Sequence, residues 1–396
     1  MNTKQVAAGN GVASLSANQR LRITLDVCIA KAKGNIKRLA DEPKSAAWAV
    51  DGNYFGCREG FYEIGNWTSS FFTGMALLAW RETEDEYFLN EVLRLAPHYH
   101  KKIFTGSLDT HHDLGFLAML YSVALHKLTG DLYHRTVGLR AAEVLAQRFN
   151  ENGNFIRAWG RMDEVESVIG ETRMRTDNLA IIDCLMNLPL LFWATKQTEN
   201  ARFQAIAMRH AEMALKNFVR SDDSVVHAFV FDPKTGRPLE AANHCGFSRD
   251  SYWARGAAWA IYGFALTYRY THEERFLQAS VRLARKFMAE LDREFVPVWD
   301  FRLPADKPRV RDASASAITI CGIQELAKHH AADLELLVAK DRLLERICSE
   351  KYLDASLGCP GVLKNAYGDK QAYSSWGDYF LMEAVSRELK GEETFW

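Results

Sequence analysis

The sequence predicts an all-α protein, an (α/α)6 barrel of six helical hairpins with short β pieces in its loops. Three observations lead there. Apolar residues recur at helical spacing about twelve times along the chain. One helix-to-helix junction design appears four times. No Gly/Ser/Pro-rich stretch divides the 396 residues into separate units.

In chain order, the periodicity predicts helices over 18–40, 67–82, 85–104, 111–129, 131–149, 177–197, 200–219, 250–270, 273–291, 313–331, 336–353 and 374–390. Strand-like pieces fall at 154–159 and 225–231, the second running into the turn Asp232-Pro233-Lys234-Thr235-Gly236. The repeated junctions begin at Thr83, Thr129, Thr198 and Thr271. At each, a helix closes near Thr, a short polar turn follows, and the next helix opens with an aromatic two or three residues in. Their spacing is too irregular for a solenoid but suits antiparallel hairpins. Six hairpins close into a barrel whose inner helices should be apolar nearly all round. We therefore expect one catalytic barrel domain over 1–396, with residues 1–18 a flexible or loosely packed N-terminal segment.

Composition excludes several classes. A net charge of −1 and a pI near 6.9 leave no electrostatic footprint for nucleic acid or an acidic membrane. No apolar run is long enough to span a bilayer, and the first sixteen residues lack the apolar core of a signal peptide. Seven scattered cysteines without a C-x-x-C pair suit reduced thiols, hence a cytoplasmic setting. The His98/His100 and His111/His112/Asp113 groups lack metal-site spacing, and no phosphate loop or nucleophile elbow is present. No metal and no cofactor is expected. Ten Trp, 14 Tyr and 22 Phe could wall a sugar site, although core packing explains most aromatics.

Chemistry concentrates at two carboxylates. The segment NLAIIDCLMNLPLLFWA (178–194) carries Asp183 inside an apolar helix pattern, with Asn187 one turn on. An ionised Asp there is costly without compensation. Six residues beyond the expected cap at Asp177, it lies about 9 Å too far along a helix to cap it. Asp113, in HHDLGF, opens another apolar helix and could simply complement the helix dipole. If the two face one cavity, mutual repulsion and burial raise both pKa values, leaving one carboxyl protonated near neutrality. A second cluster follows Asn243-His244-Cys245-Gly246. Arg255 and Trp259 lie four apart on one helical face, where a guanidinium can grip a carboxylate beside a stacking ring. His227 is a third candidate, with a structural role as its alternative.

These stretches resemble the unsaturated glucuronyl hydrolases, glycoside hydrolase family 88. The likeness runs from about residue 20 to the C-terminus through NWTSSFFTGM (66–75), HHDLGF (111–116), IIDCLMNLPLLFWA (181–194), DDSVVHAFVFDPKTG (222–236), SYWARGAAWAIYGFALTYRY (251–270), VPVWDF (296–301), RDASASAITICG (311–322) and WGDYFLMEA (376–384). The resemblance implies an (α/α)6 barrel acting on lyase-generated oligosaccharides with a C4=C5 unsaturated uronate at the non-reducing end. It implies protonation of the vinyl ether at C4, addition of water at C5, and collapse of the hemiketal with expulsion of the remaining sugar. By motif, Asp183 would be the acid/base and Asp113 its partner, with Trp67, His227, Arg255 and Trp259 lining the substrate subsite. His244-Cys245-Gly246 stands where the family commonly has His-Gln-Gly, so a substrate-bonding amide is lost. The segment 163–177 is also longer than usual and rich in charge, and Lys370 is an exposed lysine that could meet a sulfate. The expected partner is the oligosaccharide alone, with the protein a monomer or homodimer. A conventional inverting glycosidase on the same barrel and a catalytically silent sugar-binding homologue are the alternatives.

Overall fold

The computed structural model describes residues 16–396 except 56–61, 64–65, 170–171, 330–333 and 392. Its helices are α1 (Ala17–Asp41), α2 (Ser69–Thr83), α3 (Glu86–Leu93), α4 (Ala96–His100), α5 (Leu114–Ala118), α6 (Ala124–Thr129), α7 (Leu132–Gln147), α8 (Leu188–Thr198), α9 (Ala201–Asn217), α10 (Ala254–Thr271), α11 (Glu274–Ala289), α12 (Ala313–Ala327), α13 (Leu334–Ile347) and α14 (Ser375–Lys390). A π-helical turn, Met119–Val123, joins α5 to α6. The residues expected to be loose, 1–18, lie outside the described part except for the last three, which form the capped start of α1.

Two kinds of helix sort themselves by burial. In α10 every residue from Ala254 to Thr267 is buried, and in α12 every residue from Ala313 to Leu326. Alanine, glycine and serine fill much of both, so neighbouring helices approach closely. Such helices belong inside: α2, α5–α6, α8, α10, α12 and α14 pack side by side and close into a ring. The outer helices are amphipathic. Helix α11 turns Phe276, Leu277, Ser280, Leu283, Ala284 and Phe287 inward and its arginines outward. With α1, α3, α7, α9, α11 and α13 outside, each against an inner neighbour, the (α/α)6 barrel is complete.

The repeated Thr junction has a definite structure. The hydroxyls of Thr83, Thr129, Thr198 and Thr271 donate to the carbonyls four residues back, at 2.7–2.8 Å. Each then accepts from the backbone N–H two residues on, at 3.2–3.3 Å. The residue between, Glu84, Gly130, Glu199 or His272, is left-handed with φ of 57°, 74°, 60° or 56°. At three of the four junctions the next residue caps the outer helix, as Asp85, Asp131 and Asn200 accept from the second N–H of the new helix. One hydroxyl thus ends an inner helix and starts its outer partner. Three of these left-handed positions carry side chains, where Gly is the unstrained choice. Replacing Glu84, Glu199 and His272 together with Gly should raise stability by about 1–2 kcal/mol, read as a higher denaturation midpoint.

The predicted helix boundaries fail in two places, and both matter. The span 85–104 breaks into α3, α4 and a π-helical segment, Lys101–Thr105, with Pro97 opening α4. The span 177–197 does not begin as a helix. Short strands β1 (Lys44–Ser45), β2 (Trp48–Ala49), β3 (Tyr62–Glu63), β4 (Phe149–Asn150), β5 (Phe155–Ile156), β6 (Glu166–Ile169), β7 (Thr172–Arg175), β8 (Leu179–Ile181), β9 (Ala228–Phe231), β10 (Pro238–Ala242) and β11 (Tyr373–Ser374) lie between the helices. β8 takes one edge of the antiparallel sheet β10-β9-β8. A 3-10 helix, Ile182–Asn187, then leads into α8. Sheet pairing with β9 overrides the apolar helical pattern over 179–181, whose branched isoleucine suits a strand. Within the segment 163–177, β6 pairs antiparallel with β7.

Candidate active site

Asp183 and Asp113 both sit where a chain direction changes. Asp183 occupies the first turn of the 3-10 helix, not the second turn of an α-helix as the periodicity predicts. Its proximity to a helix N-terminus, set aside by the sequence reading, is therefore real. Asp113 stands at the N-cap of α5, where the helix dipole acts on it as the alternative reading has it, but its side chain makes no capping bond. Asp177 is not a cap either; it pairs with Arg175 at 2.6 Å.

Asn187 ties together the two backbone segments that carry the carboxylates. Its amide oxygen accepts from the Phe116 N–H at 2.9 Å, and it is fully buried. Gly115 makes this possible, since a Cβ there would stand 2.3 Å from the Asn187 Cα. Asn187→Leu should therefore leave a buried N–H unpaired, lower stability by about 1–3 kcal/mol and cut kcat about 100-fold with little change in KM. Steady-state kinetics beside a thermal melt would check it.

Arg148 braces the other side. Its buried guanidinium donates to the carbonyls of Arg157, Thr110, Ala158 and Gly160 at 2.6–3.2 Å. It staples the loop before Asp113 to the β5 loop, and its charge opposes the rise in Asp113's pKa. Neither Asn187 nor Arg148 stood out as a site residue by sequence.

Each carboxylate keeps a small opening, with 18% of the Asp113 side chain and 16% of the Asp183 side chain accessible. Burial, and then the Asp183 charge, push Asp113 up to about 8. Burial lifts Asp183 to about 6, and the Arg255 guanidinium restrains the rise. Both carboxyls are thus raised, and their mutual repulsion favours a single proton on the pair near neutral pH, with the Arg255 guanidinium working against its residence on Asp183.

His227 sits 3.8 Å from Asp183 through Nε2. The His244 backbone N–H donates to its Nδ1 at 3.0 Å, which assigns the proton to Nε2. Burial, His244 and Arg255 hold His227 well below its usual pKa, so a neutral N–H faces the carboxylate rather than an imidazolium. His112 is similarly buried and neutral, 3.4 Å from Asp113.

Arg255 is committed on one edge to Asp312 at 2.8 Å, and its guanidinium packs against Trp253, Trp376 and Tyr367 at 4.7, 4.9 and 5.6 Å. Trp259 is wholly buried against Phe116 and Phe380, its indole N–H favouring the Asp183 charge without reaching full hydrogen-bond geometry. Trp67 stacks on Trp376 at 5.0 Å and remains half-buried. His244 lies at the surface, edge-on to Trp159 at 5.2 Å. Cys245 opens to the same space, where enclosure and the Asp183 charge raise its thiol to about 12 and keep it protonated. Trp67 and Asp113 line one cavity, while Asp183, His227, Arg255, Trp259, His244 and Cys245 adjoin Asp113 through the contacts and charges above; Trp159, unpredicted, stands against His227 and His244. Among the described residues no group of three His, Cys, Asp or Glu side chains is placed to hold a metal ion.

A cavity in an (α/α)6 barrel, two neighbouring uplifted carboxylates, a guanidinium and indole side chains together define a hydrolase of sugar chains. The chain belongs to glycosyl hydrolase family 88, whose model matches residues 38–332. It is 34% identical over 343 residues to the unsaturated glucuronyl hydrolase of Bacillus sp. (strain GL1), covering 84% of this chain and 88% of that one. It is also 34% identical over 345 residues to the unsaturated chondroitin disaccharide hydrolase of Streptococcus pneumoniae, covering 83% of each. The crystal structure of the Bacillus sp. GL1 enzyme matches with a TM-score of 0.84 at 31% identity, over 94% of this chain and 97% of that one.

Proposed function

We propose that this glycoside hydrolase removes the 4,5-unsaturated uronate from the non-reducing end of lyase-generated oligosaccharides, with the whole chain acting as one catalytic domain. The observation that carries the reading is a pair of neighbouring buried carboxylates, both raised, with Asp183 beside a guanidinium. Family membership and relatives named for unsaturated glucuronyl and chondroitin disaccharide hydrolysis support it.

In this reading the substrate carboxylate approaches Arg255, while Trp67 and Trp259 flank the flat unsaturated ring. The incoming negative charge offsets Arg255, which is what holds Asp183 down. Binding therefore raises the Asp183 pKa and loads it with the proton it delivers to C4. The C4=C5 electrons take that proton, positive charge develops at C5 next to the ring oxygen, and water adds there. Asp183, now ionised, accepts the proton that the water releases. The C5–O5 bond of the hemiketal then breaks, and the opened C1 centre expels the remaining sugar as an alcohol. Asp113 and the His227 Nε2–H hold ring hydroxyls, and His244 with Cys245 borders the same subsite. Six free cysteines among the described residues suit a cytoplasmic enzyme, working as a monomer or homodimer. No helix among those residues is long and apolar enough to cross a membrane.

The test is turnover of an unsaturated uronyl disaccharide in labelled water, followed by loss of the conjugated-alkene absorbance. Label at C5 is expected; label at C1, or cleavage of saturated glycosides, would overturn the reading in favour of direct glycosidic displacement.

A further inference from the structure

A cavity of about 720 Å³ shares Trp67 and Asp113 with the site but does not reach Asp183, His227 or Arg255. It extends instead beside the π-helical segment that the broken 85–104 helix produces. Its wall there carries Lys44, Lys101 and Lys102, with His98 and His111 beside them. Lys44 and Lys101 have no carboxylate partner among the described residues. Lys102 donates to the Asp109 carbonyl at 2.9 Å. Asp109 also lines the cavity, and its carboxylate pairs at 2.7 Å with Arg161, which Asp163 and Glu164 share. The local field is positive: after burial, Arg148 and Lys102 are the main influences lowering His111, which falls to about 4. Asp113, protonated at neutral pH, adds no opposing charge.

The Lys44 and Lys101 ammonium groups on this roomy annex carry no ion pair among the described residues, and Lys102 beside them bonds a backbone carbonyl of the same wall. The chemistry at C4 and C5 does not use them, because Asp183 and Arg255 lie outside the annex. We infer that this annex is an anion subsite, in which Lys44, Lys101 and Lys102 receive a sulfate or carboxylate carried on the Asp113 side of the bound sugar. The inference rests on the functional reading above, since the sugar must be seated against Asp113 and Trp67 for its substituent to reach the lysines. A sulfate ester on the unsaturated ring is one source of that anion; the carboxylate of a neighbouring uronate is the other. Either would exchange hydration for charge-assisted hydrogen bonds in a concave wall, where such bonds discriminate best.

The test compares kcat/KM on three unsaturated oligosaccharides: one otherwise uncharged, one sulfated on the unsaturated ring, and one with a uronate as the neighbouring sugar. The variant is Lys44→Ser with Lys101→Ser, which spares the Lys102 bond to Asp109. A charged substrate should be favoured by the wild type, and the double variant should lose about tenfold of that preference through KM, at near-constant kcat. The substrate that loses it identifies the source of the anion. Equal changes on all three substrates, or no change on either charged one, would overturn the subsite. Binding of inorganic sulfate, measured by calorimetry on both proteins, separates this from the functional reading. If the wild type turns over none of the three, the functional reading has failed, and the sulfate comparison decides the subsite alone. Sulfate affinity at least about tenfold weaker in the variant supports it, and equal affinity rejects it.

Discussion

Asp183→Asn is expected to lower kcat/KM by about 10³–10⁴-fold while leaving the fold and the melting temperature nearly intact. The amide keeps the shape of the side chain and its place at the start of the 3-10 helix, but it carries no proton that can be delivered to C4. The same argument fixes the pH dependence of the wild type. In the free enzyme Asp183 titrates at about 6, so the fraction able to act as an acid falls as pH rises through that value. kcat/KM should therefore decline tenfold per pH unit above about 6, whereas kcat should hold to higher pH, because bound carboxylate offsets Arg255 and raises the acid. Rate profiles across pH 5–9 and the residual rate of the Asn variant check both points. A variant with near-normal activity would remove Asp183 from the chemistry, and coincident limbs for kcat and kcat/KM would remove Arg255 from its control.

How far the sequence could be read depended on how local each cause was. The barrel was legible because burial of whole helices against one-sided helices is written in the residue pattern, as α10 and α11 show side by side. The four Thr junctions were legible as a motif, though not as the paired hydroxyl bonds that create it. Asp183 was conspicuous because a carboxylate in an apolar run has few explanations. Its setting was misread because β8 owes its existence to β9, some fifty residues away, and periodicity carries no trace of that pairing. Arg148 escaped for a related reason: its partners are backbone carbonyls, which every residue possesses. The restraint of Arg255 on Asp183, and of Arg148 on Asp113, depends on proximities that only the fold sets. Asn187 offered one usable signal, a polar side chain one turn beyond Asp183 in the same apolar segment.

Asp113→Asn should separate activity from stability. Activity should fall about 100-fold, because the amide can hold ring hydroxyls yet cannot share a proton with the site. Stability should rise. An unfolded aspartate titrates near 3.9, whereas burial and the Asp183 charge push folded Asp113 up to about 8. Between those values the folded protein keeps a proton that the unfolded chain has released, so wild-type stability falls as pH climbs from about 4 to about 8 and levels off above. The Asn variant lacks that loss. Its advantage should be absent near pH 4, grow through neutrality and plateau above pH 8. Linkage sets a ceiling of about 6 kcal/mol, and the partial opening of the Asp113 side chain reduces the expected gain to about 2 kcal/mol. Chemical denaturation of both proteins at pH 4.5, 7 and 9 would measure it. A variant less stable than the wild type at pH 9 would show that Asp113 is ionised at little cost in the folded protein. The acidic pair would then hold no proton at neutral pH, and Asp183 would have to draw its proton from solvent as substrate binds.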